Sequence, residues 1–78
     1  MEMLTDKSTY LRRDSDGKEI WRAELLCDNC TELVGVTTLG DKRFAYGSAA
    51  LAIKDGELCV LADNGKWYKQ SNGTEVTT

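Results

Sequence analysis

The chain contains no histidine and no proline. Histidine is the side chain whose ordinary pKa lies closest to neutrality, so its absence removes the usual general base. The lack of proline removes any cis-prolyl turn and the slow isomerisation that goes with one. Long apolar runs are missing too. Nothing approaches the roughly 20 consecutive apolar residues of a membrane-spanning helix, and no membrane partner is expected. The opening stretch, Met1 to Tyr10, has no basic segment followed by an apolar one, so no signal peptide is expected. A reducing cytoplasm is the expected setting, and the three cysteines are expected to be thiols. Their odd number argues against a closed disulfide framework. A basic excess is also lacking: ten Lys and Arg stand against thirteen Asp and Glu, for a net charge of −3. Nucleic acid draws most of its non-specific attraction from phosphate contacts, so it is not an expected partner.

What remains is a globular composition, 41% apolar and 29% charged over 78 residues. That length holds one domain and not two. It lies near the limit at which a single core supports a fold, so a metal, a disulfide or a partner could add stability.

Three turn signals divide the chain: Asp14-Ser15-Asp16-Gly17, Lys54-Asp55-Gly56 and Asp63-Asn64-Gly65. Asp-Gly and Asn-Gly suit tight hairpins because glycine and asparagine tolerate positive φ. The first signal predicts a hairpin of Ser8–Arg13 with Lys18–Leu26. Pairing Arg13 with Lys18 sets Arg12 against Glu19, Leu11 against Ile20 and Tyr10 against Trp21. Each such pair is worth only ~0.2–1 kcal/mol, and the argument lies in their agreement within one register.

Asn29 with Glu32 three residues on approximates a capping box, and Gly35 ends the segment, which predicts one short helix. Val36–Tyr46 reads as an irregular extended link with a turn at Gly40-Asp41. The strongest pattern is C-terminal. Ala49–Lys54, Glu57–Ala62 and Lys66–Gln70 read as a three-strand antiparallel meander joined by two-residue turns. These registers set Ile53 against Leu58, Leu51 against Val60, Ala62 against Trp67 and Leu61 against Tyr68. One face then carries Leu51, Ile53, Leu58, Val60, Ala62 and Trp67. The other carries Ala50, Ala52, Cys59, Leu61 and Tyr68. A sheet with one wet face should alternate apolar and polar residues, and this one is apolar on both. The Trp67 face is the expected core. The Ala50, Ala52, Cys59, Leu61 and Tyr68 face is the expected interface. Ser71–Thr78 reads as a polar tail beyond a domain spanning residues 1–70.

Among chemical motifs, Cys27-x-x-Cys30 could be a redox dithiol or half of a zinc site. Cys59 is the only further thiol, and a thioredoxin-like reading lacks its βαβ context. Small residues packed near a helix start are the simpler and favoured account of it. The aromatics Tyr10, Trp21, Tyr46, Trp67 and Tyr68 could stack on a ligand, fill the core or anchor an interface. Arg12, Arg13, Arg22 and Arg43 could contact anions, but Asp14, Asp16, Glu19 and Glu24 lie beside them and suggest solvated strand faces. No strand–loop–helix phosphate motif accompanies Gly40 or Gly47. No cofactor and no catalytic or metal-binding residue is expected.

The segment Tyr46–Lys69 carries Gly47-Ser48, an alternating strand, Asp55-Gly56, a second strand and Gly65-Lys66-Trp67. It resembles small structural or accessory virion proteins of tailed bacteriophages and prophages. Cys59 stands where a larger residue is usual in that outline. The resemblance implies a non-enzymatic component of a phage head, neck or tail. It implies synthesis in the host cytoplasm and residence in the virion. Its partners would be protein subunits, either copies of itself or a larger capsid or tail protein. Two other readings stay open: a small phage-encoded protein that binds and inhibits a host protein, and a thiol or metal-dependent protein using Cys27 and Cys30. The expected fold class is mainly β, with a small α+β fold as the alternative, built from an N-terminal hairpin, one short helix and the C-terminal meander.

Overall fold

The computed structural model describes residues 1–77. It is mainly β, with nine short strands and a single 3₁₀ turn at Cys30–Leu33 among the described residues. The strands are β1 (Glu2–Met3), β2 (Thr9–Arg13), β3 (Glu19–Arg22), β4 (Glu24–Cys27), β5 (Thr38–Leu39), β6 (Lys42–Phe44), β7 (Ala49–Ala52), β8 (Glu57–Leu61) and β9 (Trp67–Lys69). They form two mixed sheets, one of order β1-β4-β7-β8-β9 and one of order β2-β3-β6-β5.

Two chain segments pass from one sheet to the other side by side. Ala23 alone separates β3 from β4, and Ala45–Ser48 separate β6 from β7. β3 runs parallel to β6 in the smaller sheet, and β4 runs parallel to β7 in the larger. The Ala45 N–H donates to the Trp21 carbonyl at 2.7 Å, and the Ala49 N–H donates to the Ala23 carbonyl at 2.9 Å, so the ladder continues through the crossing. Ser48, fully buried, pins the seam. Its Oγ accepts the Ala23 N–H at 2.9 Å and donates to the Ala45 carbonyl at 2.7 Å. Burying that hydroxyl is tolerable because both of its roles are filled.

The turns form where the sequence places them, but the registers differ. The Asp14 N–H bonds the Lys18 carbonyl at 2.8 Å, which leaves Ser15-Asp16-Gly17 as a three-residue loop. Arg13 therefore faces Glu19 and Arg12 faces Ile20. A bulge at Leu11 absorbs the slip and restores Tyr10 opposite Trp21. At the third turn the Ala62 N–H bonds the Lys66 carbonyl at 2.9 Å, again enclosing three residues, with Gly65 at φ 80°. Three-residue hairpin loops commonly place a glycine in this left-handed region. Leu61 thus faces Trp67, and Val60 faces Tyr68. At the second turn, Ile53 and Lys54 donate their N–H groups to the carbonyls of Cys27 and Asp28, both at 2.8 Å. They extend the parallel ladder beside β4, so Leu51 rather than Ile53 faces Leu58.

The slip at the third turn inverts the expected faces. A one-residue shift moves every side chain of a strand to the other side of the sheet. Trp67 joins Ala50, Ala52, Cys59 and Leu61, and Tyr68 joins Leu51, Leu58 and Val60. The face expected to be an interface is the core: Ala50, Ala52 and Cys59 are fully buried and Leu61 nearly so. The face expected to be the core lies outside, with Leu51, Ile53 and Leu58 exposed and Val60 half-buried. Trp67 is buried, but among the small residues, and its indole N–H donates to the Val36 carbonyl at 2.8 Å. The physical logic is volume. Alanines and a cysteine leave room above the sheet that one indole fills.

Leu33 from the 3₁₀ turn, Phe44 from β6, and Val76 complete this cluster. Val76 corrects the reading of residues 71–78 as a tail outside the domain. Its N–H donates to the Trp67 carbonyl at 2.8 Å, Glu75 bridges to Tyr68, and its side chain is buried. Thr78 lies outside the described residues.

Candidate functional site

The site candidate that emerges from these registers is the outer face of the five-stranded sheet. Glu2, Leu26, Leu51 and Leu58 align across β1, β4, β7 and β8. A neighbouring row runs Glu24, Ala49, Val60, Tyr68 and ends on Glu75. Residues directly opposite one another project to the same side, so the two rows make one surface. Its centre is apolar and its margins are acidic. Leu51 is 43% exposed, Leu58 39%, and Ile53, on the loop beyond β7, 56%. Single exposed apolar residues are ordinary, but an aligned and contiguous set marks a contact surface. Beside this face a concavity of about 370 Å³ is lined by Glu2, Leu26, Asp28, Glu32 and Ile53, among others.

The 3₁₀ turn is held by carboxylates. Glu32 accepts the N–H groups of Asn29 at 2.8 Å and Asp28 at 2.9 Å, the expected contact of Glu32 on a turn rather than on an α-helix. These bonds hold its pKa below the ordinary value, with the Asn29 contact the stronger cause. Asp55, expected only as a turn former, reaches back to accept the Cys30 N–H at 2.8 Å, which likewise lowers its pKa.

The thiols are placed differently from the motif. All three are free and buried. The contact is between Cys30 and Cys59, with Sγ atoms 3.5 Å apart, and not within Cys27-x-x-Cys30. Burial raises the pKa of Cys27 and Cys30 and pushes that of Cys59 up to about 12. A buried, protonated thiol is a poor nucleophile and a poor metal ligand. Among the described residues no group of three or more Cys, Asp or Glu is arranged to hold a metal ion. Among the described residues no helix is long and apolar enough to cross a membrane.

The smaller sheet holds the other candidates. Tyr10 and Trp21 pack edge to face with ring centroids 5.6 Å apart, and the Trp21 indole N–H donates to Glu19 Oε1 at 2.9 Å. Arg13 pairs with Glu19 at 3.3 Å and Arg43 with Asp14 at 2.8 Å. Tyr46, 72% exposed, projects beside a concavity of about 580 Å³ floored by Ile20 and Phe44 and bordered by Leu11, Arg12 and Arg43. Sequence reasoning missed this concavity and the acidic margin at Glu2 and Glu24. Both depend on the parallel pairings, which no local pattern announces. Glu24-Leu25-Leu26-Cys27 is apolar at three successive positions, so no alternation marks it as a separate strand. No family model, curated protein or solved structure matches the chain.

Proposed function

We propose that the chain is a non-enzymatic protein-binding subunit that docks onto neighbouring protein subunits through the outer face of its five-stranded sheet. The observation that carries this reading is the aligned, exposed set Leu51, Ile53 and Leu58, continuous with Leu26, Val60 and Tyr68 across three strand pairings. The protonated, buried thiols and the absence of histidine favour binding over catalysis. The resemblance of Tyr46–Lys69 to virion proteins of tailed phages supports a place in a phage head, neck or tail. The partner is then a copy of the chain or a larger capsid or tail subunit. Synthesis takes place in the host cytoplasm and the protein ends in the particle. The antiparallel C-terminal strands β7 to β9 present the docking face in this reading, with the N-terminal strand pair β2–β3 set apart from it.

Immobilised chain exposed in parallel to dissociated virions and to host lysate tests the proposal. Capture of a capsid or tail subunit, lost in Leu51→Asp, is the expected result. Capture of a host protein alone would favour an inhibitor of the host. Capture that survives Leu51→Asp would remove the assigned face.

A further inference from the structure

The two sheets differ in charge, which the net value of −3 conceals. All four arginines lie on the strands of the smaller sheet, where Arg12, Arg13, Arg22, Arg43 and Lys42 stand against Glu19 alone. The strands of the larger sheet carry Glu2, Glu24 and Glu57 against Lys69. Both sheets also offer an apolar surface. On the smaller sheet it is the concavity bordered by exposed Leu11 and Tyr46 beside the buried Ile20 and Phe44, where the bulge sets Leu11 and Arg12 together opposite Ile20. Arg43 there is bound by Asp14, whereas Arg12 makes no ion pair among the described residues. On the larger sheet the apolar rows end on Glu2 and Glu24, and the adjoining concavity adds Asp28 and Glu32.

Resting on the protein-binding reading, we infer that a second copy of this chain is the occupant: the acid-rimmed apolar face of the five-stranded sheet seats on the arginine-rimmed concavity of the four-stranded sheet of its neighbour. Like faces do not suit one another. A symmetric pairing of the smaller sheets sets arginine rims together, and a symmetric pairing of the larger sheets sets carboxylates together, and like-charge contacts of this kind oppose association. Only the head-to-tail arrangement joins opposite charge around apolar centres. Such an interface leaves one face free at each end, so it repeats until the rotation closes a ring or continues as a filament. A standard contact covers ~800 Å² per partner. Two of them cover about a third of the 4732 Å² surface, which a small subunit embedded in an assembly can commit.

Sedimentation of the full chain across concentration, at low and high salt, is the first arm. Association that weakens roughly ten-fold or more as salt screens the rims is expected. The second arm uses Leu51→Asp and Arg12→Glu, both at exposed positions, with circular dichroism checking each fold. Each variant alone is expected to be monomeric. Mixed in equal amounts they retain one good face apiece and should give a 1:1 heterodimer and nothing larger. A wild-type monomer at every concentration and salt overturns the inference. So does a symmetric dimer that survives Arg12→Glu, or a mixture that stays monomeric although both variants are folded. If self-association is absent but Leu51→Asp still abolishes capture of a virion subunit, the docking face stands and only the second copy as its occupant falls.

Discussion

The five-stranded sheet and the four-stranded sheet are stabilised by different forces. The larger buries most of its inner face: Leu25, Ala50, Cys59, Leu61 and Trp67 form one cluster with Leu33. The smaller contributes Ile20 and Phe44 to burial, and its edge strand β2 is exposed at all five positions. In place of burial it has surface ion pairs, an edge-to-face aromatic pair and turn hydrogen bonds. Burial of an aliphatic or aromatic side chain contributes about 1.5–3 kcal/mol, whereas an exposed ion pair contributes ~0–1 kcal/mol. The larger sheet therefore carries the global stability, and the smaller is the part expected to open first.

The sharpest way to break this contrast is Trp67→Ala. It removes the side chain that fills the space above the alanines and leaves the Val36 carbonyl without its donor. A loss of about 3–5 kcal/mol is expected by urea denaturation, enough to unfold a domain of this size. If the loss stays below about 1 kcal/mol, the core is not where the contrast puts it.

The second test is alkaline pH. Desolvation first, and then the Cys30 contact, pushes the Cys59 thiol up to about 12, against 9.0 for an ordinary thiol. Below pH 9 the thiol is protonated in both states and contributes no pH dependence. Between about 9 and 12 the unfolded chain has released the proton and the native chain has kept it. The unfolded state then binds fewer protons, so stability falls as pH rises, by up to ~1.4 kcal/mol per pH unit from this group. Denaturant midpoints measured across that range should fall, and Cys59→Ala should shallow the fall while Asp14→Asn leaves it unchanged.

Ser48→Ala probes the seam that both sheets share. The Ala23 N–H loses its partner in a buried place, while the Ala45 carbonyl keeps the Ser48 backbone N–H at 3.1 Å. Leaving such a group unsatisfied costs about 1–3 kcal/mol. Ser48→Thr, which keeps the hydroxyl but adds a methyl group to a closed site, separates the hydrogen bonds from the packing. A Ser48→Ala chain as stable as the parent would show that the crossing needs no pin.

What could be read from the sequence follows the same division between local and distant determinants. Turn positions were legible because Gly17, Gly56 and Gly65 answer to a local backbone requirement. The mainly β class was legible from alternation between those turns. Loop length was not: Asp63-Asn64-Gly65 and Ser15-Asp16-Gly17 fit two-residue, three-residue and longer connections alike, and the choice lies in bonds made elsewhere. At the second turn the deciding bonds come from β4, 26 residues before Ile53 and Lys54 along the chain. The two-residue shift there leaves the faces unchanged, but a one-residue shift at Trp67 exchanged the core for the surface. The candidate docking face was thus visible as a surplus of apolar residues on both sides, while its side was not. Parallel strands are usually joined through a helix. Here the links run through a 3₁₀ turn and two short strands, so the parallel pairs had no signature.

The smallest expected effect gives the finest resolution of the contrast. Asp14 Oδ1 accepts the N–H groups of Asp16 and Lys18, both at 2.9 Å, and Oδ2 meets Arg43 Nη1 at 2.8 Å. The side chain thus ties the β2–β3 loop to β6 of the same sheet. Asp14→Asn keeps an oxygen for the loop N–H groups and removes the charge that binds Arg43. Global stability should fall by only about 0.5 kcal/mol, because the guanidinium is partly exposed and solvent screens the pair. Amide hydrogen exchange reads what the denaturation curve blurs. In the parent, amides of β2 and β3 should exchange by local opening, well before those of β7 and β8. In Asp14→Asn the first set should exchange faster still, with the β7 and β8 set nearly unchanged. Should β2 prove as protected as β8, or should both sets accelerate together, the two sheets form one cooperative unit. The ion pairs of the smaller sheet would then be coupled to the burial in the larger through the Ser48 seam.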